Sequence, residues 1–578
     1  MPSARDTSAS SLAVAAAAHP RPRTATLRHS TLAALILAMA SLALPIGHAQ
    51  DPAAPAAVDS ISPDELDRRL EAALAARDFV AAEPLLRRTI QLRPRDFVPL
   101  FNLACILASR GELDAAMEQL RASIERGFDD VRTLRRDRDL DPLRDRADFR
   151  HLIESWPRVL EARRDANLAR VRRLFDNPDD PAPGTPRVDY REYVDEKRRL
   201  IYRTAFDERS FAVARAEIEA LGEWAERELF PDLWKPELIA DDPWVIVVLP
   251  SRRDFRTWQA VTFGPAATAG FSTIGGAYVH EQKELVSQDL GGTLRHEFFH
   301  VLHWRDCVRR GQTHAFWVQE GLASLPEDIE GPRTPAPTPA PTPAPAPSPA
   351  PEPSHLPLLD ADAMAPVASW RTNIVLRRDR SNTLMPLDQF LRQPRERFLA
   401  RNQLAGYAQA RAIFLWLHQS GRLGEWYQAY TEQFDGPRPD PTGVATFEKL
   451  WDKPIAQVHR EFRAWVRTLP EVAEEIRSGM ASLGVEVETG RGDGLLVTRI
   501  AEPDRRNVAN VIPLRTLRGV EGEIQVGDVI VAVDERSTRD ISELLRVLGE
   551  KAVGDEVVVR YSRRGEPGRA VLRLVERE

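Results

Sequence analysis

Ala81, Ala82, Leu86 and Ile90 recur as Ala115, Ala116, Leu120 and Ile124, an offset of 34 residues each time. That period belongs to arrays of paired antiparallel helices: the small alanines let backbones approach, and Leu and Ile one turn on fill the groove between them. The offset constrains residues 60–155 to a helical solenoid of about two units, with "LDPLRDRADFRHLIE" supplying a capping helix. Two units are fewer than such arrays normally need.

The remaining length requires further units, because 578 residues exceed what one hydrophobic core supports. From about residue 185 the pattern turns to mixed α and β. "WVIVVLP" at 244–250 is a buried-strand signal, and "GGAYVHEQKELVSQ" alternates weakly as an edge strand or hairpin. Residues 478–577 form a separate, β-rich pattern of short strands around one helix, "DISELLRVLGE". The alternating prolines of the 332–356 segment forbid both helix and ladder, and twenty such residues extend about 60 Å at roughly 3.1 Å each. Domain-like sequence on both sides makes it an insertion whose ends must return near each other.

Lys and Arg number 79 against 86 Asp and Glu, a formal charge of −7, and no basic block stands out, so no nucleic-acid partner is expected. Arg21, Arg23 and Arg28 precede an apolar run that is short for a membrane span, and Gly47-His48-Ala49 offers small residues at −3 and −1. Residues 1–49 therefore read as a signal peptide of a bacterial protein, periplasmic or secreted, with no stable membrane span after cleavage. An uncleaved anchor is the alternative, and it would export the body of the chain equally. Only Cys105 and Cys307 occur, so no disulfide framework is expected, and Cys105 in "LFNLACILA" reads as a small core residue.

The chemistry concentrates in "LRHEFFHVLHW". On a helix, His296 and His300 at i and i+4 aim two imidazoles at one point, the geometry of a zinc pair, and Glu297 is placed to take a proton from a water acidified by the ion. A catalytic ion needs a third protein ligand. His303 shares the helix face but lies about 10.5 Å along the axis from His296, too far for one ion. Asp306 sits where metzincins place their third ligand, but His303 occupies the position where that class needs glycine. Glu320, twenty residues after His300, allows the helix to end and a second one to return antiparallel.

These motifs, His296-Glu297-Phe298-Phe299-His300 and Trp317-Val318-Gln319-Glu320-Gly321, resemble those of the gluzincin metallopeptidases, in which HExxH is completed by a glutamate of a downstream W-x-x-E-G helix. The resemblance implies an α+β zincin-like domain over 185–470, Zn2+ held by His296, His300 and Glu320, and Glu297 as general base. It further implies Tyr407, from a later helix, as the oxyanion donor. The resemblance also implies a carboxylate that orients the histidines, often at +4 from the glutamate; that position is Ser324 here, Glu327 and Asp328 follow at +7 and +8, and the spacing alone does not assign the role. HExxH, W-x-x-E-G and the carboxy-terminal unit together are also similar to the glycyl aminopeptidases, but a helical repeat stands where that family has a β-rich domain, so its specificity is not carried over.

The repeat resembles tetratricopeptide units. The carboxy-terminal order, with Gly527-Asp528-Val529-Ile530 before "VAVD", resembles bacterial PDZ domains, which capture an extended C-terminal peptide by strand addition. Leu483, Gly484 and Val485, after Ser482, match the loop that holds the peptide carboxylate. The expectation is thus a multidomain chain: a tetratricopeptide-like solenoid, a zincin-like catalytic domain, and a small PDZ-like domain. It would hydrolyse peptide or protein substrates. Two alternatives use the same features, a non-catalytic envelope scaffold binding peptides and a metal-dependent hydrolase of other substrates.

Overall fold

A computed structural model describes residues 14–15, 61–175, 190–331, 333–334, 358–500 and 523–577, less short stretches at 95, 129, 207, 237–241, 250–251, 264–274, 280–282, 361, 400–402, 490–493, 535 and 565. Of the segment read as a signal peptide, residues 1–49, only Val14–Ala15 is described, and most of the proline-rich insertion lies outside the described residues. The chain is multidomain, with mixed helix and sheet and a β-rich carboxy-terminal domain. It divides into two compact units, one drawn mainly from residues 16–165 and the other from residues 1–15, 166–279 and 283–578.

In the first unit, α1 (Pro63–Ala75), α2 (Phe79–Leu92), α3 (Val98–Ser109) and α4 (Leu113–Glu125) pack consecutively as antiparallel hairpins, and α5 (Val131–Arg136) and α6 (Ala147–Glu154) follow. The 34-residue offset is visible in the backbone. Arg77 and Gly111 both take a left-handed turn, with φ of 54° and 79°, after the first helix of each pair. Ala82, Leu86, Ala116 and Leu120 are fully buried, at 0 % exposure, while α3 is buried from Pro99 to Ala108 because helices cover it on several sides. Cys105 lies in that core.

The second unit is built on a six-stranded mixed sheet. β1 (Arg191–Asp195) and β2 (Leu200–Thr204) form an antiparallel pair; α7 (Glu208–Glu228) follows. β3 (Trp244–Val248) runs parallel to β2 on one side and to β5 (Glu284–Ser287) on the other, and all five of its residues are buried, as a continuous apolar run between two parallel neighbours requires. β4 (Gly276–Val279) is antiparallel to β5 and also pairs with the short strand Val14–Ala15. From β5 the chain enters α8 (Gly292–Arg310), which Gly311 ends with φ 73°, the left-handed cap that glycine favours. α9 (Phe316–Ser324) returns against α8, and α10 (Trp370–Arg380) and α11 (Gln403–Gln419) pack beyond it. Gly321 makes the α9–α11 approach possible, because a Cβ there would sit 2.6 Å from the Phe414 ring and 2.9 Å from the Ala410 carbonyl. At the proline-rich insertion the flanks meet, Arg333 pairing with Leu359 and Thr334 with Leu358.

The carboxy-terminal domain is a sheet of β6 (Val485–Thr489), β7 (Leu495–Ile500), β8 (Val529–Val533), β9 (Glu556–Arg563) and β10 (Glu566–Arg573), all antiparallel, with α12 (Ile541–Gly549) beside it. Gly484 has φ 71°, and its N–H bonds the Ser482 hydroxyl at 3.2 Å, so the Leu483–Val485 loop is sharply turned where β6 begins. Leu483 is buried.

This domain docks on the sheet-and-helix core through buried charge. Arg539 donates to Glu217 on α7 at 2.6 Å and to the Leu290 carbonyl at 3.2 Å. Glu543 of α12 meets Arg295 of α8 at 3.2 Å, and Arg546 bonds Asp328. Removing one partner of a buried pair leaves the other charge uncompensated, which costs about 3–5 kcal/mol. Arg539→Met is therefore expected to shift denaturant unfolding to markedly lower concentration. An unchanged midpoint would mean that the docked arrangement does not form in solution.

Candidate metal centre

The helical spacing of i and i+4 places His296 Nε2 and His300 Nε2 3.2 Å apart on α8. Glu320 Oε2, from the antiparallel α9, stands 3.6 Å from each of them. The triangle is nearly equilateral, and its two imidazole–carboxylate edges, at 3.6 Å, are longer than hydrogen bonds. Three donors at about 2.1 Å around a tetrahedral ion are separated by roughly 3.4 Å. His296 and Glu320 are fully buried and His300 is 4 % exposed. Neither Glu320 oxygen has a hydrogen-bond partner among the described residues, and the same holds for both oxygens of Glu297. Buried carboxylates without partners are costly unless a cation compensates them. The donor set, two imidazoles and a carboxylate, suits zinc and leaves a position open.

Second contacts fix the first. Glu327 Oε1 lies 2.7 Å from His296 Nδ1, which sets that ring to present Nε2. Arg371 of α10 clamps Glu327 in turn, Nε to Oε2 at 2.6 Å and Nη2 to Oε1 at 2.9 Å. Arg295 holds the same turn by its backbone, donating to the Pro326 carbonyl at 3.0 Å and the Glu327 carbonyl at 2.6 Å. The ring of Tyr278, on β4, stacks on His300 with centroids 5.4 Å apart.

Burial pushes the Glu327 carboxyl up, but the Arg371 charge and His296 outweigh it and hold the group at about 2. Glu320 behaves alike: burial opposes ionisation, and the two histidines bring it to about 2. Burial disfavours charge on His296 too, yet its two carboxylate partners raise it to about 9. For Glu297 burial, reinforced by Glu320 and Glu327 nearby, outweighs the opposing His296 charge and pushes the group up to about 8. A cation between the histidines would lower it again.

The structure brings His296, His300, Glu297 and Glu320 together. Gly276 of β4 runs directly past Glu297, since a Cβ there would lie 2.8 Å from Glu297 Oε1. Tyr407 is buried on α11, and its hydroxyl is raised well above the ordinary phenol value by burial and then by Glu320, so it is a donor at neutral pH. Asp306 is engaged elsewhere, bonded to Arg309, Arg310 and Tyr427. His303 turns instead to His314. Arg371 carries no local signal in the sequence, since it reaches Glu327 from 44 residues away across the insertion.

Residues 481–574 match the PDZ domain family. Over 85 residues the chain is 34 % identical to Protease Do-like 8, chloroplastic, of Arabidopsis thaliana, covering 15 % of this chain and 18 % of that one. The chain thus spans under one fifth of that relative's length. A crystal structure of an aminopeptidase N family protein from Idiomarina loihiensis aligns over 68 % of this chain and 67 % of that one, with 12 % identity and a TM-score of 0.23, too low to speak for a shared fold. No helix among the described residues is long and apolar enough to cross a membrane.

Glu327 bonds His296 from outside the triangle, so if zinc binds between His296, His300 and Glu320, Glu327→Ala is expected to weaken that binding by about 10–100-fold with the three residues intact. Competition against a zinc chelator measures this. Affinity equal to the parent chain's would show that Glu327 does not orient His296.

Proposed function

We propose that the chain is an exported zinc-dependent metallopeptidase of the gluzincin type, with a tetratricopeptide-like repeat before its zincin-like catalytic domain and a PDZ domain after it. The observation that carries the reading is the buried triangle of His296, His300 and Glu320, with the unpartnered Glu297 carboxylate beside it. His296 and His300 would hold the ion through Nε2, and Glu320 through its carboxylate. Zinc, when bound, would polarise a scissile carbonyl and acidify a water.

The chain's own residues do the rest. Glu297 accepts a proton at its carboxylate and delivers it to the leaving amine. The Tyr407 hydroxyl, kept protonated by its surroundings, is the donor for the oxyanion that develops at the carbonyl. Glu327 and Arg371 keep His296 turned to the site throughout. The substrate is a peptide or protein, and the PDZ domain supplies a second peptide-binding surface through its Leu483–Val485 loop, suited to a free C-terminus.

The test is Glu297→Gln, assayed on a mixed peptide library read by mass spectrometry. Loss of a positioned general base is expected to lower cleavage by about 10²–10⁴-fold, while zinc content and circular dichroism stay those of the parent. Cleavage at the parent rate would overturn the reading. A parent chain that binds peptides and no zinc would make the protein a scaffold.

A further inference from the structure

Two turns beyond the HExxH pair, α8 carries a second i, i+4 set, His303 and Cys307, both buried at 2 % and 0 % exposure. After the left-handed turn at Gly311 the chain brings His314, at 1 % exposure, back over them. His303 Nε2 lies 2.8 Å from His314 Nδ1, Cys307 Sγ lies 3.5 Å from the same atom, and all three donor atoms fall within 4.8 Å of one another. Among the described residues this is the one such cluster besides the candidate metal centre.

The surroundings select the donor atom of His314. Gln312 Nε2 donates to the Thr431 carbonyl at 2.8 Å and to Asp435 at 2.9 Å, so its Oε1 is an acceptor, 2.9 Å from His314 Nε2. His314 therefore carries its proton on Nε2 and turns the Nδ1 lone pair to Cys307 and His303, as metal-binding histidines are oriented by their outer partners. Rings enclose the cluster: Phe230 stacks on His303, and Tyr430 and Phe434 pack against His314. Burial holds both imidazoles well below their ordinary pKa and hence neutral. Asp306, the nearest carboxylate in sequence, is committed to Tyr427 and two arginines, so the donors on offer are two imidazoles and one sulfur.

We propose that His303, Cys307 and His314 form a second metal site, for a soft d10 cation, zinc(II) or copper(I). Thiolate with imidazole selects these ions over magnesium and calcium, which take oxygen. Binding forms one metal–sulfur and two metal–nitrogen bonds; the Cys307 thiol proton leaves to solvent, and His303 moves its proton to Nδ1. Copper(I) is satisfied by three donors, whereas zinc(II) would add a solvent molecule as a fourth; for either ion His303 Nε2 and His314 Nδ1 would part from their present 2.8 Å. The ion would act structurally. It joins the far half of α8 to the turn that starts α9, and so fixes the spacing of the two helices that carry His296, His300 and Glu320.

The full chain with Cys105→Ala, stripped by chelator under reducing conditions, is loaded separately with cobalt(II), zinc(II) and copper(I) and desalted, and its metal content is measured. Two equivalents of cobalt or zinc are expected, one of the cobalt ions showing thiolate-to-metal charge-transfer absorption; a site specific for copper(I) would instead take one copper beside one zinc. Adding Cys307→Ser removes one equivalent and that absorption, while Glu320→Gln removes the other equivalent and leaves the absorption. This separates the proposal from the catalytic reading. A folded Cys105→Ala chain that binds a single equivalent of cobalt and of zinc, takes up no copper(I), and shows no thiolate absorption would overturn the second site, even where Cys307→Ser does not fold.

Discussion

Two imidazoles on one helix and a carboxylate on the next, all removed from water, are the constraint around which the second unit is organised. Full burial of Glu297 and Glu320 without hydrogen-bond partners is tolerable only if something positive lies between them. The neighbouring elements serve that convergence. The β4–β5 hairpin leads directly into α8, Gly276 leaves room for Glu297, and Gly321 lets α9 press against α11 closely enough to present Glu320.

A second layer of charge stands behind the histidines. Glu327 joins His296 to Arg371, and Arg295, the residue before His296, grips the Glu327 backbone while meeting Glu543 of the PDZ domain. Asp328, next to Glu327, is bonded by Arg546 from the same PDZ helix. The PDZ domain and the helix that carries His296 and His300 therefore share one buried ionic network. Such a network is expensive to desolvate and costly to break, so it specifies a docking geometry more than it adds stability.

Much of this was legible in the residues. The His296–His300 spacing implies one helix face, Glu320 lies far enough on for an antiparallel return, and the 34-residue offset appears in the paired left-handed turns at Arg77 and Gly111. The apolar "WVIVV" run is a strand buried between parallel neighbours. Other parts were not legible, for physical reasons. Glu327 lies beyond the end of α9 in a 3-10 turn over Leu325–Glu327, which breaks the helical phase on which counting +4 or +7 depends. Arg371 and the PDZ arginines act across long sequence separations that no periodicity reveals. The helical spacing of His303 does not reveal its partner His314, which comes near it only because Gly311 reverses the chain.

The most direct test of the account is a crystal of the full chain grown with zinc and measured on both sides of the zinc absorption edge. The account predicts an anomalous peak about 2.1 Å from His296 Nε2, His300 Nε2 and a Glu320 oxygen, with a further coordination position not filled by protein. A zinc-loaded crystal with no peak between those three residues, or with a fourth protein ligand closing the site, would contradict it.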